Sequence, residues 1–340
     1  MGNHQQWNST DDIPDLTGKH IIVTGGNRGL GYASAVEFAK KGAHVVITSR
    51  SKEKGQAAIA AIKNTVPNAS LETMELDCSS FKSVRTFADE YTVKYGNGQL
   101  DALVNNAGIG STKDYKRIET EDGHELTWQT NVWSACLLSQ LLLPSLAKGA
   151  TEEAPARIVF ISSVTSTLPS VNMNIHDPES ENNAKNKHWV YPNTKCADWM
   201  ISNALSQRFL GSDDDRLKGR VHVNCAHPGF SSTDMTGGYG KIANLLFSQP
   251  ASQGCLPQVR VATDPTLPSG SFCGPNTSSK ISIQHLAMSL GMVPDNNAEP
   301  ELYGSPVSSA LVSPFAGDAE LCEQLLQKVE EIIGAKFVLA

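Results

Sequence analysis

The 340-residue sequence predicts an α/β fold of the doubly wound kind: a single domain over 1–340, built on a parallel sheet of about seven strands with helices on both faces. Three observations carry that expectation. Short β-branched runs alternate with segments of helical period along most of the chain. The runs are apolar on both sides of the pleat, as strands covered on both faces must be. The first run also passes through a glycine-rich turn directly into a helix.

A polar lead, 1–17, precedes HIIVTGG (20–26), a strand ending in glycines, and LGYASAVEFAKKG (30–42), a helix closed by glycine. HVVITSR (44–50) is the second strand, and KEKGQAAIAAIKN is a helix. LETMELDCS (71–79) is the third strand, 81–96 a helix, and LDALVNNAG (100–108) the fourth strand. A long helix containing Leu126 to Leu146 follows, then the strand RIVFISS (157–163), a polar loop, a helix opened by Tyr191, and the strand RVHVNCAHPG (220–229). Beyond Gly229 the rhythm loosens until GSFCGP (270–275), a short last strand, and a terminal helix over about 319–333. The segments 164–190 and 230–310 are additions to the regular pattern, the second expected to bind substrate.

Composition narrows the function. Hydrophobic residues make up 40% and charged residues 19%, with a net charge of -7 and no cluster of Lys and Arg, which argues against a nucleic-acid partner. The seven scattered cysteines lack CxxC spacing and read as free thiols of a reducing, cytoplasmic setting, with no metal site expected. The lead shows neither a secretory signal nor an anchor, and Gln6 stands where an N-myristoylation signal needs Ser or Thr. LLSQLLLPSL (137–146) is too short and too interrupted to span a bilayer, so no integral membrane segment is expected.

In TGGNRGLG (24–31) glycines allow a pyrophosphate to approach the backbone, and the helix that follows supplies amide donors. Its spacing, TGxxxGxG, departs from GxGxxG, and many strand-to-helix turns use glycine only for its backbone freedom; the placement in the first βα unit points to a dinucleotide. A free ribose 2′-hydroxyl usually meets a carboxylate at the end of the second strand. Here that end reads Thr48, Ser49, Arg50, and Arg28 sits in the turn, a set that suits a 2′-phosphate and favours NADP(H) over NAD.

YPNTK (191–195) places a phenol and an ammonium on one helical face, with Pro192 in a first turn. Alone this pairing is a common coincidence. Hydride exchange between a nicotinamide and a carbonyl also needs a proton donor, and a phenol with a pKa of about 10 serves near neutrality only if a cation stabilises its anion. Lys195 supplies that cation. A hydroxyl at the carboxyl edge of the RIVFISS strand, among Ser162, Ser163, Thr165 and Ser166, could hold the substrate oxygen.

In order, TGGNRGLG, LDCSS, NNAG, Asn131, the serine strand, YPNTK and HPG resemble the short-chain dehydrogenase/reductase superfamily over nearly the whole chain to the last strand. The lead and the GQAA sequence are most similar to its branch of retinol dehydrogenases and lipophilic carbonyl reductases. The resemblance implies a Rossmann fold with Tyr191 as acid and base, Lys195 lowering its pKa and binding the nicotinamide ribose, Ser163 orienting the substrate, and Asn131 holding a water toward Lys195. It implies that Gly25, Arg28, Gly29, Leu30 and Gly31 cradle the pyrophosphate; Asn27 in the same turn and Ser49 and Arg50 at the strand end are further candidate cofactor contacts. Asp77 and Cys78 would meet the adenine, Asn105, Ala107 and Gly108 the adenosine ribose side, and Pro228, Gly229 and Thr233 the nicotinamide.

Several of these have plainer roles open to them: Asp77 could cap a helix, Asn105 could bridge strands, Asn131 could make a local helix bond, and Pro228–Gly229 could be only a turn. His227 is read as structural.

Met173 and Trp189, with Met235, Tyr239, Ile242, Leu245, Leu246 and Phe247, are expected to wall an apolar pocket, giving a lipophilic aldehyde, ketone or alcohol as substrate. The apolar group after the HPG turn would also serve as the buried face of an amphipathic lid helix. The 164–190 loop is either a substrate flap or a solvated excursion. Rival readings are a nucleotide-sugar epimerase-like enzyme, a catalytically silent NADPH-binding regulator and a membrane-associated retinoid enzyme. Both a homodimer and a monomer are open.

Overall fold

A computed structural model describes residues 7, 10–96, 98–110, 117–167, 171, 173–179, 190–229, 231, 249–275, 306–308, 313 and 315–339. Eight strands form one sheet in the order β3-β2-β1-β4-β5-β6-β7-β8: β1 (His20–Val23), β2 (His44–Ser49), β3 (Ser70–Glu75), β4 (Ala102–Asn105), β5 (Ala156–Ile161), β6 (Val221–Ala226), β7 (Phe272–Pro275) and β8 (Pro306–Ser308). The pairs from β3 across to β7 are parallel, and β8 adds an antiparallel edge, with Cys273 opposite Ser308. The expected seven strands are all present. The eighth lies inside the irregular 230–310 stretch, where three residues give no period to read.

The alternation of side chains along each strand divides the core in two. Ile22, Val46, Leu103, Ile158, Phe160 and Val223 point into one apolar cluster, and Ile21, Val23, Val45, Ile47, Val104 and Val159 into the other. A sheet buried on both faces follows directly from the pleat, and explains why these runs are continuously apolar rather than alternating. The edge strand β3, SLETME, is only partly covered and is correspondingly polar.

Local signals begin the helices. Ser51, Ser80 and Asp318 accept amide protons from Lys54, Ser83 and Leu321, opening Lys52–Thr65, Phe81–Tyr95 and Ala319–Ile333. The long central helix is less regular than its sequence period implies. It starts as Leu126–Trp128, widens into a π turn at Gln129–Trp133, continues as Ser134–Leu141, and restarts as Leu143–Lys148 where Pro144 withholds an amide proton. The buried Glu125 carboxylate caps its start by accepting from the amides of Thr127 and Trp128.

The Val190–Leu210 helix packs on β5, β6 and the terminal helix, so nearly all of its turns are covered. Between β6 and β7 the chain crosses through Ala251–Gly254 and Leu256–Thr263, helices the sequence pattern does not announce. Leu256–Thr263 is buried all round, Arg260 and Gln258 included, and therefore carries no amphipathic stripe. Its Arg260 pairs with Asp264 at 3.1 Å, and Gln258 donates to Ser34 at 2.6 Å.

Candidate active site

The order of strands reverses between β1 and β4, and the ligand crevice of such sheets opens at their carboxyl ends. The glycine turn after β1 and the NNAG turn after β4 meet there. The Thr24 hydroxyl accepts from the Ala107 amide at 2.9 Å, and Asn106 Nδ2 donates to the Thr24 carbonyl at 2.8 Å. Thr48, next to the end of β2, takes the Gly25 amide on its hydroxyl at 3.2 Å and the Gly26 amide on its carbonyl at 3.1 Å. Gln258 closes the set with a 3.3 Å bond to Asn106 Oδ1.

The backbone here is crowded. Gly25 has φ 63, and a Cβ on it would lie 3.2 Å from Ala107 Cα; one on Gly31 would lie 2.6 Å from the Gly25 carbonyl and collide with Asn106 Nδ2. Such a cradle, which any side chain would fill, fits the close approach of a pyrophosphate. Arg28 flanks it as the residue before the Gly29–Lys40 helix, and both Arg28 and Arg50 are exposed, while Ser49 is buried. No group of His, Cys, Asp and Glu among the described residues could hold a metal.

Across the cleft, the helix begins at Val190, so Tyr191 and Lys195 stand in its first turns, one turn apart. Lys195 Nζ is buried; it donates to the Ile161 carbonyl at 2.7 Å and to Asp198 Oδ2 at 2.8 Å, and lies 5.9 Å from the centre of the Tyr191 ring. Burial opposes the ammonium, but the Asp198 carboxylate and then Tyr191 more than offset it, so Lys195 is held above its usual pKa. Asp198 is raised to about 6 because burial outweighs the lysine beside it.

Asn131 lies within the π turn. Its Oδ1 accepts from the Ile109 amide at 2.8 Å, while Nδ2 donates to the Ile109 carbonyl at 3.0 Å and to Thr194 Oγ1 at 3.1 Å. Thr194 in turn donates to the Tyr191 carbonyl at 2.7 Å. A Cβ on Gly108 would come 3.3 Å from Asn131 Oδ1 and 3.7 Å from Lys195 Nζ. One small volume therefore joins the NNAG turn, Asn131 and Lys195.

At the end of β5 the two serines separate. Ser162 Oγ donates to the Lys195 carbonyl at 2.7 Å and is buried, a bond that fixes the helix to the sheet. Ser163 Oγ accepts from the Thr165 amide at 3.2 Å, which leaves its own proton for another acceptor.

Other expected positions have local partners. Asp77 Oδ1 accepts from the amide and hydroxyl of Ser79, at 2.9 and 2.7 Å, in the turn leading to Phe81–Tyr95. Cys78 is buried, its thiol pushed up to about 12 by that burial. Asn105 bridges to Ser139 at 3.0 Å, and its Oδ1 is buried with no partner among the described residues. Pro228 offers its carbonyl to Ser231 and Gln249 at 2.7 and 2.8 Å, and Gly229, at φ 62, donates to His227 Nδ1 at 3.3 Å. His227 is fully buried against Phe272.

Thr233, Trp189 and the apolar group Met235, Tyr239, Ile242, Leu245, Leu246 and Phe247 lie outside the described residues. Met173, expected at the pocket wall, is buried in the larger core cluster. The loop that carries it is anchored at its described end by Glu179, which accepts from His124 Nδ1 at 2.7 Å, the Glu125 amide at 2.8 Å, Trp133 Nε1 at 2.9 Å and Arg117 at 3.2 Å. Sequence reasoning passed over Glu179, Asp198, Asn106 and Gln258, and weighed Ser162 only as one of four hydroxyls at the end of its strand. Only Asp198 left a signal, three residues beyond Lys195 and so on its face of the helix.

Known proteins resemble this chain in sequence and in fold. Residues 19–176 match the family model described as short chain dehydrogenase. The chain is 32% identical to a short-chain dehydrogenase/reductase of Armillaria gallica over 76% of this chain and 80% of that one. It is 32% identical to retinol dehydrogenase 13 of Homo sapiens over 65% of this chain and 61% of that one. A crystal structure of an uncharacterized protein from Mycobacterium paratuberculosis superposes with a TM-score of 0.72 at 26% identity, over 98% of this chain and 100% of that one. The RhlG/NADP active-site complex of Pseudomonas aeruginosa, 22% identical, shares the fold at a TM-score of 0.58 over 76% of this chain and 94% of that one. The chain belongs to the short-chain dehydrogenase/reductase superfamily of NAD(P)(H)-binding oxidoreductases.

Proposed function

We propose that the protein is an NADP(H)-dependent reductase and dehydrogenase that interconverts a lipophilic aldehyde or ketone and its alcohol, with Tyr191 as the acid and base. The observation that carries this reading is the buried Lys195 ammonium, 5.9 Å from the Tyr191 ring and against the Asn131 and Gly108 wall of the cleft. An ammonium turned outward into water could not tune a phenol.

Bound NADP(H) supplies or accepts the hydride. In carbonyl reduction the Tyr191 hydroxyl gives its proton to the substrate oxygen, and in alcohol oxidation the same oxygen takes it back. Lys195, charged and desolvated, stabilises the phenolate left behind. Ser163 donates its hydroxyl proton to the substrate oxygen and aligns it. Asn131 fixes the 108–109 turn and Thr194 relative to Tyr191, and its carbonyl oxygen has a second lone pair for a water that reaches Lys195. Gly25, Asn27, Gly29, Leu30 and Gly31 would border the phosphates of the bound cofactor, and Arg28, Ser49 and Arg50 would hold its 2′-phosphate.

The test mixes purified protein with NADPH or NADH and a panel of aliphatic and aromatic aldehydes and ketones, read by absorbance of the reduced nicotinamide. NADPH-dependent turnover is expected. Tyr191→Phe should lose on the order of 10² to 10⁴ in turnover while binding NADPH as before, and unchanged turnover refutes the role of Tyr191.

A further inference from the structure

Asp198 has no part in the chemistry just described, yet it sits against the group on which that chemistry depends. Its Oδ2 is 2.8 Å from Lys195 Nζ, and the two side chains are 2% and 6% exposed. The other carboxylate oxygen, Oδ1, is buried and has no hydrogen-bond partner among the described residues. For packing alone this is a poor choice. A buried carboxylate with one orphaned oxygen carries a desolvation cost that an asparagine, equally able to accept from Lys195 through its amide oxygen, would not. The extra that aspartate brings is its charge.

Resting on the proposed role of Tyr191, we propose that Asp198 is a positioning residue for the Tyr191–Lys195 pair: its carboxylate raises the proton affinity of the pair and keeps the site in its proton-donating, carbonyl-reducing form at neutral pH. The sign does not depend on which member loses the proton. Tyrosine and lysine this close release one proton as a unit, leaving either phenolate with ammonium or phenol with amine. A fixed negative charge beside the pair opposes both products.

The neighbours leave this effect unopposed. Among the described residues, the titratable groups that Asp198 acts on are Lys195 and Cys196 on its own helix, Cys136 on Ser134–Leu141, and Cys225 on β6. Burial lifts all three thiols, Cys196 to about 11 and the others well above their usual value, so none is charged near neutrality. Asp198 titrates at about 6, so its effect is present above that pH and fades below it.

Asp198→Asn and Asp198→Glu in the full chain provide the test. Ultraviolet difference titration of tyrosinate without substrate, with Tyr191→Phe as the blank, reads the pair directly; the pH dependence of NADPH-linked aldehyde reduction and of the reverse oxidation reads it in turnover. Asp198→Asn should lower the pair's pKa by about one to two pH units and raise the oxidation-to-reduction ratio at pH 7 by about tenfold or more. Asp198→Glu should restore wild-type behaviour. Coincident titrations for wild type and Asp198→Asn overturn the proposal, because a purely structural counter-ion would alter stability without moving this pKa. Should Asp198→Asn not fold, the wild-type titration decides alone: Tyr191 ionising below about pH 7 overturns the proposal, and a phenol intact there supports it. Turnover surviving in Tyr191→Phe would instead sink the proposed function, and the spectroscopic shift at Asp198 would still be readable.

Discussion

The glycine turn after β1 and the first turns of Val190–Leu210 border the same crevice, but different forces hold them. The turn is built from backbone: Gly25, Gly26 and Gly31 leave no room for side chains, and the neutral partners Thr24, Thr48 and Asn106 fix its amides and carbonyls. The opposite wall is built from charge, with Lys195 and Asp198 paired out of contact with water. The first arrangement is sensitive to volume and nearly indifferent to pH. The second tolerates changes of shape but not the loss of one partner, since a lone buried charge costs far more than the pair contributes.

The largest break in that contrast comes from Lys195→Met. It should strand the Asp198 carboxylate and lower stability by about 3 to 5 kcal/mol, measured by urea unfolding near pH 8. The double variant Lys195→Met with Asp198→Leu should recover most of that loss, both variants remaining inactive. On the backbone wall, Gly31→Ala forces a Cβ against the Gly25 carbonyl and Asn106. The expected loss is about 1 to 3 kcal/mol, accompanied by weaker NADPH binding in a fluorescence titration and no change in its pH dependence.

Removing both arginines beside the turn sharpens the same comparison from the solvent side. Arg28→Ala with Arg50→Ala should weaken NADPH binding about 10- to 100-fold and leave NADH nearly untouched, the two nucleotides being titrated in parallel. Equal losses for both would withdraw the 2′-phosphate role.

The smallest expected effect separates two buried carboxylates by pH. Burial would raise Glu179, but hydrogen bonds from His124, the Glu125 amide and Trp133 hold it below its usual range. Its contribution to stability is therefore full at neutral pH and drains away as pH falls through its folded value. Asp198 runs the other way: with a folded pKa raised to about 6, it binds a proton on folding at mildly acid pH, so the native state gains as pH drops from about 6 toward 4. Urea midpoints from pH 8 down to about pH 3 should show Glu179→Gln losing the decline at the acid end and Asp198→Asn losing the opposing gain between about pH 6 and 4.

Strands β1 to β7, the helices over 81–96 and about 319–333, the glycine turn and the helix at Tyr191 were all readable as local patterns, because each is dictated by residues adjacent in the chain. Four features escaped that reading: the buried crossover helix Leu256–Thr263, the edge strand β8, the π turn around Asn131, and the anchoring of the polar loop by Glu179. Each depends on contacts between segments far apart in sequence, and a helix buried on every side has no stripe to betray it. The choice between Ser162 and Ser163 was of the same kind. Both end β5, and only the bond from Ser162 to the Lys195 carbonyl tells them apart.

By itself the sequence determined the family, the order of the strands along the chain and the residue types available for proton and hydride chemistry, since these follow from local period and from spacing within single elements. Only the tertiary structure decided that the ammonium faces inward, that it shares its charge with Asp198, and that Asn131 and Gly108 close over it. Burial and electrostatic pairing are set by distances between segments, and no single stretch of sequence contains them.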